Sequence, residues 1–162
     1  MVRDCIVGKD TTINASQVNE STIGSHTTVG PFTYVRPNCC IGDHCRVGDF
    51  VEVKNSVIGD GTKISHLTYV GDSDVGQRVN FGCGTVTTNY DGHKKHRCTI
   101  GDDVFLGCNT NLIAPVTVAD RAYTAAGSTV TDDVPEGALA IARQRQTNIR
   151  GWADRLRKTW KK

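Results

Sequence analysis

The sequence is poor in aromatic residues, proline and net charge, and each shortage excludes a class of protein. Aromatic residues make up 6% of the 162 residues, there are four prolines, and the formal net charge is +2. Few aromatics leave little to stack on nucleic-acid bases, and the charge lacks the strong basic bias of a dedicated nucleic-acid binder. No apolar run approaches the ~20 residues that span a membrane. We therefore expect one domain of a soluble, cytoplasmic protein.

The cysteines do not form a pattern typical of disulfide scaffolds or zinc ribbons. Their number is odd, no Cys-x-x-Cys pair occurs, and nothing resembles a signal peptide. Reduced thiols in small core positions are the better interpretation. The seven are Cys5, Cys39, Cys40, Cys45, Cys83, Cys98 and Cys108.

A six-residue period organises the chain instead. Aliphatic residues recur six apart, glycine often follows each of them, and a small or β-branched residue often stands four positions later. A period of six fits neither a helix nor one alternating strand, and it is typical of a β-helix whose coils each take three hexapeptides. The series includes Ile23, Val29, Val35, Ile41, Val47, Val53, then Ile58, Ile64, Val70, and later Ile100, Leu106, Leu112 and Val118. We predict an all-β protein built as a parallel β-helix.

Two segments interrupt the period. Residues 88–98, "TNYDGHKKHRC", are polar and contain an Asp-Gly turn signal, which predicts a loop that projects from one face and carries function. After residue 134 a basic tail follows, with Trp152 and Trp160. We assign residues 1–134 to the β-helix and 135–162 to a tail, including a short helix, that packs on a neighbouring subunit. A tolerated surface loop and a disordered tail are the alternatives.

Stacked coils place two cations together. Arg36 and Lys54 each follow an aliphatic residue of the third face and stand eighteen residues apart, so they stack about 5 Å apart on neighbouring coils. Two cations this close repel unless they share an anion, and a phosphate suits an Arg fork beside a Lys point charge. The insertion brings Lys94, Lys95 and Arg97 to the same region. Two solvated surface cations are the alternative.

His66 stands at the foot of a second column. It follows Ile64 of the second face by two positions, and the same register on later coils gives Cys83, Cys108 and Ala126. Three coil rises cover roughly 14 Å, a groove for a long thin ligand arm whose reactive end meets the imidazole. An imidazole near neutral pH suits a general base. A lone outward histidine is, on its own, more often a surface residue.

His26 and His44 are also eighteen residues apart and could stack as metal ligands. A zinc site needs further ligands at defined geometry, and the sequence of one chain offers none. We therefore expect no metal site.

Several runs resemble a known family. "VGPFTYVRP", "SHLTYVGD", "TNYDG" and "LAIAR" closely resemble the C-terminal acetyltransferase domain of the bacterial bifunctional N-acetylglucosamine-1-phosphate uridylyltransferase and glucosamine-1-phosphate N-acetyltransferase. The likeness covers about residues 20–150. It implies a left-handed β-helix that assembles as a homotrimer with sites between subunits. It also implies transfer of acetyl from acetyl-CoA to glucosamine 1-phosphate, without a metal, for UDP-N-acetylglucosamine and cell-wall synthesis.

The resemblance assigns roles residue by residue. It implies His66 as general base, and Arg36, Lys54, Tyr69, Asn80 and Lys95 as sugar-phosphate contacts. It implies Asn89, Tyr90 and Arg143 as acetyl-CoA contacts, with Cys83, Cys108 and Ala126 lining the coenzyme arm. Cys83 and Cys108 stand where other members carry Ala and Ser, so a serine hydroxyl contact at 108 is in doubt.

The family's nucleotidyltransferase domain has no counterpart in these residues, so uridylyl transfer and its Mg²⁺ are not assigned to them. We expect either an excised domain or a stand-alone acetyltransferase. Three rivals stay open: the same fold with another acceptor (serine, another sugar or a nucleotide sugar), a β-helical carbonic anhydrase with a histidine-bound metal, and a non-catalytic scaffold.

Overall fold

A computed structural model describes residues 1–160 as a parallel β-solenoid of about eight turns, followed by one short helix. The predicted all-β solenoid of hexapeptide coils is confirmed. No helix within the described part of the chain is long and apolar enough to cross a bilayer.

The coils are built from short strands, most of them two or three residues long. The first half contains β1 (Val2–Arg3), β2 (Ile6–Val7), β3 (Thr12–Ile13), β4 (Gln17–Asn19), β5 (Thr22–Ile23), β6 (Thr28–Val29), β7 (Tyr34–Val35), β8 (Cys40–Ile41), β9 (Arg46–Lys54) and β10 (Val57–Ile58). The second half contains β11 (Lys63–Gly71), β12 (Ser73–Val75), β13 (Asn80–Phe81), β14 (Val86–Thr88), β15 (Cys98–Ile100), β16 (Phe105–Leu106), β17 (Asn111–Ile113), β18 (Val116–Val118), β19 (Tyr123–Thr124), β20 (Thr129–Val130) and β21 (Leu139–Ala140).

Every ladder in the solenoid is parallel, and the registers reproduce the three faces predicted from the period. On the first face, Ile58 pairs with Val75, which pairs with Ile100. On the second face, strands β11, β13, β16 and β19 stack in order, and on the third, β7, β9, β11 and β14 do so. The long strands β9 and β11 bend around one corner and so join the second and third faces into one sheet.

The interior is filled by the residues that repeat every six positions. Ile64, Leu106 and Leu112 are completely buried, because alternate strand residues point to opposite faces and only one set points inward. The buried threonines four positions later link neighbouring coils. The hydroxyl of Thr27 donates to the Gly42 carbonyl at 2.8 Å and accepts from the Cys45 N–H at 3.0 Å. Each hydroxyl therefore satisfies buried backbone groups where the corner narrows.

The corners require a left-handed backbone, mostly at residues other than glycine. Asn55 and Asp72 turn the third-face corner with φ of 46° and 49°, a region that Asn and Asp tolerate. Leu67 has φ of 38° at the corner where β11 bends. That corner lies directly beside His66, so the candidate base stands at the edge between two faces.

Both interruptions are visible in the structure. Strand β14 ends at Thr88 and β15 begins at Cys98, so the insertion comprises residues 89–97. Strand β21 still pairs with β19, which carries the ladder beyond residue 134 to Ala140. The helix α1 (Trp152–Trp160) forms in the tail as predicted, and both of its tryptophans are exposed. Packing of the tail on a neighbouring subunit stays a prediction.

Candidate active site

His66 pairs with a carboxylate on the coil below it. Its Nδ1 lies 2.9 Å from Oδ1 of Asp49, and the two residues stand in register on β11 and β9. Because a carboxylate only accepts, Nδ1 carries the proton, which leaves Nε2 able to accept one. The hydrogen bond from His66 holds the pKa of Asp49 below its ordinary value, so this carboxylate stays charged at neutral pH. His66 is thus an exposed imidazole whose orientation is fixed by Asp49.

The predicted column above His66 is present. Ile64, Phe81, Leu106 and Thr124 stack in register, so the residues two positions after each also share one line. Those residues are His66, Cys83, Cys108 and Ala126, all exposed. The line of small side chains rises roughly 14 Å from the imidazole.

The coils that carry this column stack closely on one another. A Cβ at Gly82 would collide with the backbone nitrogen of Cys108, so only glycine permits the coils to stack this tightly there. At the upper end, a Cβ on Gly127 would be 3.7 Å from Cδ of Arg143. Arg143 therefore lies beside Gly127, the residue that follows Ala126, at the opposite end of the column from His66.

A separate cavity of about 550 Å³ lies at the far corner of the third face. It brings the stacked cations Arg36 and Lys54 together with the insertion. Lys95 and Arg97 lie in this region, as the sequence predicted. Lys94 is exposed and does not line the cavity. The charged and polar lining includes Arg36, Lys54, Asp72, Lys95, His96 and Arg97.

Carboxylates hold the cations in place. Nη1 of Arg36 lies 3.0 Å from Oε1 of Glu52, and Nζ of Lys54 lies 3.4 Å from Oδ2 of Asp72. The Arg97 fork binds Asp74 with both arms, at 2.6 and 3.0 Å. Arg36 keeps further donors for a ligand, whereas the guanidinium of Arg97 is largely occupied and acts mainly to anchor the insertion.

Asp72 is the buried hub of the cavity wall. Its carboxylate accepts from Nδ2 of Asn55 at 2.6 Å and from Nδ2 of Asn89, and it faces Lys54. Burial alone would raise the pKa of Asp72, but these two hydrogen bonds and the Lys54 charge together hold it below the ordinary value. The ionised hub fixes the lysine toward the cavity.

Lys54 and Lys95 come close enough to perturb each other. A side-chain hydrogen bond to Lys95, and then the charge of Asp72, favours the protonated form of Lys54 and raises its pKa. The neighbouring Lys54 ammonium lowers the pKa of Lys95. Crowded ammonium groups gain most from an anion that bridges them, because it replaces repulsion with two charge-assisted hydrogen bonds.

The insertion is a small hairpin closed by Asp91. The backbones of Tyr90 and Lys95 form an antiparallel β-bridge. One carboxylate oxygen of Asp91 accepts hydrogen bonds from the backbone N–H groups of His93 and Lys94, both at 2.7 Å. The other oxygen lies 2.6 Å from Nε2 of His96. The hydrogen bond from His96 and the two backbone donors lower the pKa of Asp91 to about 2. This clamp sets where Lys95 points.

The remaining predicted residues lie in different surroundings. Asn89 is buried, donates to Asp72 and lies 3.4 Å from the Tyr69 hydroxyl, so its amide supports the cavity wall. Tyr90 is exposed and donates to the Gly92 carbonyl at 2.8 Å. Tyr69 lies on the third face, whereas Asn80 begins β13 on the second. One chain does not bring Tyr69 and Asn80 to one face.

The sequence interpretation missed the acidic partners. Asp49 stands seventeen residues before His66, and the five-residue step that sets this spacing was already visible in the repeat. Applying that step to acidic residues would have found Asp49. His96 and Asp91 gave no such signal, because their contact depends on the conformation of the hairpin.

The His26–His44 pair does stack, with ring centroids 4.9 Å apart. Nδ1 of His26 lies 3.8 Å from Asp10. Within residues 1–160, no group of three His, Cys, Asp or Glu side chains is placed to hold a metal ion.

Comparison with known sequences identifies the repeat. The family model described as bacterial transferase hexapeptide (six repeats) matches residues 20–55 and 97–132. "Bifunctional protein GlmU" of Clostridium perfringens (strain SM101 / Type A) is 60% identical over 149 residues, which are 92% of this chain and 33% of the relative. "Bifunctional protein GlmU" of Oceanobacillus iheyensis is 62% identical over 157 residues, 97% of this chain and 34% of the relative.

The chain contains hexapeptide repeats and matches the C-terminal region of GlmU. It spans about a third of the length of the GlmU proteins it matches. The family resemblance inferred from the sequence is confirmed.

Solved structures share the fold of this GlmU-like chain. A point mutant of perosamine N-acetyltransferase from Caulobacter crescentus, in complex with CoA and GDP-perosamine, has a TM-score of 0.64 and 25% identity, covering 72% of this chain and 53% of that one. UDP-N-acetylglucosamine acyltransferase from Campylobacter jejuni has a TM-score of 0.59 and 17% identity, covering 99% and 81%. The second likeness, at this identity, shows the fold alone.

Replacing His96 by Phe should weaken binding of inorganic phosphate to this GlmU-like chain by about threefold or more. The ring volume stays, but Asp91 loses its side-chain donor and Lys95 its fixed position, which lowers the binding-competent fraction. Calorimetric titration with phosphate measures the change. His93→Phe is the matched control, because only the backbone of His93 contacts Asp91. Equal phosphate affinities for both variants would contradict a role for the clamp.

Proposed function

We propose that the chain is an acetyltransferase that moves acetyl from acetyl-CoA to the amine of glucosamine 1-phosphate. The product, N-acetylglucosamine 1-phosphate, would serve UDP-N-acetylglucosamine and cell-wall synthesis in the cytoplasm. About 60% identity to GlmU over nearly the whole chain supports this reaction. Uridylyl transfer is not assigned to these residues.

The observation that carries the proposal is the pairing of an oriented base with a polycationic cavity. His66 is held by Asp49 at one corner of the third face, and Arg36, Lys54 and Lys95 converge at the other. An amino sugar with a phosphate needs both features, a base for its amine and cations for its dianion.

The proposed step is direct acyl transfer. The neutral amine of the sugar attacks the thioester carbonyl, and Nε2 of His66 accepts the proton that the new C–N bond displaces. The C–S bond breaks and the coenzyme leaves as its thiol after taking up a proton. Asp49 stabilises the imidazolium that forms in between. Transfer by this route needs neither a metal nor a cysteine nucleophile.

A backbone N–H near the column would stabilise the oxyanion of the tetrahedral intermediate. We propose that of Cys83, one coil above His66, because it donates to no backbone acceptor within residues 1–160. Binding both substrates in one cleft supplies much of the remaining advantage through proximity.

The sugar phosphate and the coenzyme divide the surface between them. Arg36, Lys54 and Lys95 are the proposed phosphate ligands, with Tyr69 and Asn80 as further contacts to the sugar. The pantetheine arm is proposed to follow Cys83, Cys108 and Ala126 toward Arg143. Asn89 and Tyr90 are the remaining proposed coenzyme contacts.

Transfer to the amine of a nucleotide sugar is the second candidate. The perosamine N-acetyltransferase at 25% identity, solved with CoA and GDP-perosamine, favours it over the other rivals. Incubating the chain with acetyl-CoA and each acceptor, with detection of the released thiol, separates the two. A carbonic anhydrase activity abolished by chelators would favour the metal rival, and undetectable acetyl-CoA binding would favour the scaffold.

His66→Ala should lower kcat by about 10²–10⁴, the usual worth of a general base, with little change in melting temperature because the side chain is exposed. Arg36→Ala should instead raise KM for the sugar phosphate, since it removes a charge-assisted contact. Steady-state kinetics on both variants measures kcat and the KM for the sugar phosphate separately. A kcat within about threefold of the parent would exclude His66 as the base.

We propose a homotrimer with active sites between subunits, in which the tail that carries the exposed Trp152 and Trp160 packs on a neighbouring subunit. The support is that Tyr69 and Asn80 lie on different faces of one chain, so a second copy is needed for one sugar to meet both. Sedimentation equilibrium should give three chains per particle. A monomer with full activity would contradict the trimer.

Ala126→Trp should weaken acetyl-CoA binding by at least about 10²-fold, because an indole fills the column where the arm is proposed to lie. Glucosamine 1-phosphate should bind as before. Thr129→Trp is the matched control, at an exposed position of the same coil outside the column. Calorimetry with each ligand tests both variants. Unaltered acetyl-CoA affinity in folded Ala126→Trp would place the coenzyme elsewhere.

A further inference from the structure

Two of the cysteines are neighbours across the coils. Strands β13 and β16 pair Phe81 with Leu106, and the backbone N–H of Asn109 donates to the Cys83 carbonyl at 2.8 Å. The register therefore places Cys83 directly opposite Cys108, one coil rise of about 4.8 Å apart. Both are free and exposed, although they are 25 residues apart in sequence.

The chain contains a natural contrast to this pair. Cys39 and Cys40 are consecutive, yet Cys39 is buried and Cys40 exposed, because consecutive strand residues point to opposite faces. Across the ladders, Cys40 faces Thr22 on one side and Val57 on the other. Cys40 is thus an exposed thiol without a thiol neighbour across either ladder, whereas Cys83 and Cys108 point from the same line of the same face.

We propose that Cys83 and Cys108 form a dithiol site for thiophilic groups that bond two sulfurs at once, such as trivalent arsenicals. Parallel side chains one coil apart need only modest χ1 rotation to bring both sulfurs to one atom. The fixed spacing provides a high effective concentration of the second thiol once the first has bonded.

The chemistry balances without an oxidant. A monosubstituted arsenic oxide forms two As–S bonds, the As–O bonding is lost, and the two thiol protons leave with that oxygen as one water. No electrons are transferred, so the protein needs no redox partner.

Occupation of this site has a consequence that rests on the proposed function. The two sulfurs lie in the column between His66 and Ala126, so a group bonded to both fills the path proposed for the pantetheine arm. Thiophilic species would then block acetyl-CoA and leave the phosphate cavity at the far corner free.

Phenylarsine oxide is the probe, added to the full chain under native conditions, followed by an excess of a monothiol to strip single-thiol adducts. Intact mass should show one retained arsenical per chain for the parent and for Cys40→Ser. Cys83→Ala and Cys108→Ala should each retain about 10²-fold less at equal concentration. Peptide mapping of the parent should locate the adduct on both Cys83 and Cys108, independently of how well the variants fold.

Failure of the parent to retain the arsenical, or mapping to Cys39 and Cys40, would overturn the dithiol site. Desulfo-coenzyme A, which lacks a thiol of its own, then tests the consequence. It should slow labelling at least about tenfold at saturation. Retention without such protection would establish the dithiol site and contradict the proposed coenzyme path, so the two ideas fail separately.

Discussion

The structure depends on one constraint: each coil must stack in register on the next at about 4.8 Å so that their backbone groups pair. In-register stacking turns positions along the chain into columns on the surface. The inward columns bury aliphatic side chains such as Ile64 and Leu106, and the outward columns collect whatever the sequence supplies at that register. His66, the line of small residues above it and the stacked cations all belong to outward columns of this kind.

This constraint explains what the sequence could predict. A single rule, six residues with occasional steps of five, placed Arg36 beneath Lys54. The same rule placed a column above His66 that consists of Cys83, Cys108 and Ala126. The ladders follow the register that this rule predicts. The sequence interpretation missed Asp49, although the same rule places it beneath His66. Periodicity carries long-range contacts here because neighbours in space are a fixed number of residues apart.

The rest of the site lies outside the rule. Residues 89–97 leave the ladder, and their conformation comes from local hydrogen bonds around Asp91 together with the Arg97–Asp74 pair. The composition predicted a loop with cations but not the direction of any side chain. Lys95 faces the cavity while the adjacent Lys94 is exposed away from it, a difference that no period encodes.

The column and the cavity therefore differ in the interactions that stabilise them. The column rests on paired backbone and on glycines such as Gly82, where a Cβ would collide with the next coil, so its shape changes only if the solenoid does. The cavity instead depends on an exposed hairpin and on ion pairs, which solvent and salt weaken. A rigid track for a long coenzyme arm and a cation cluster held by carboxylates for a small phosphate match the needs of the two proposed ligands. The arm gains most from a preformed surface, whereas the dianion gains from the charge-assisted hydrogen bonds that the clustered cations donate.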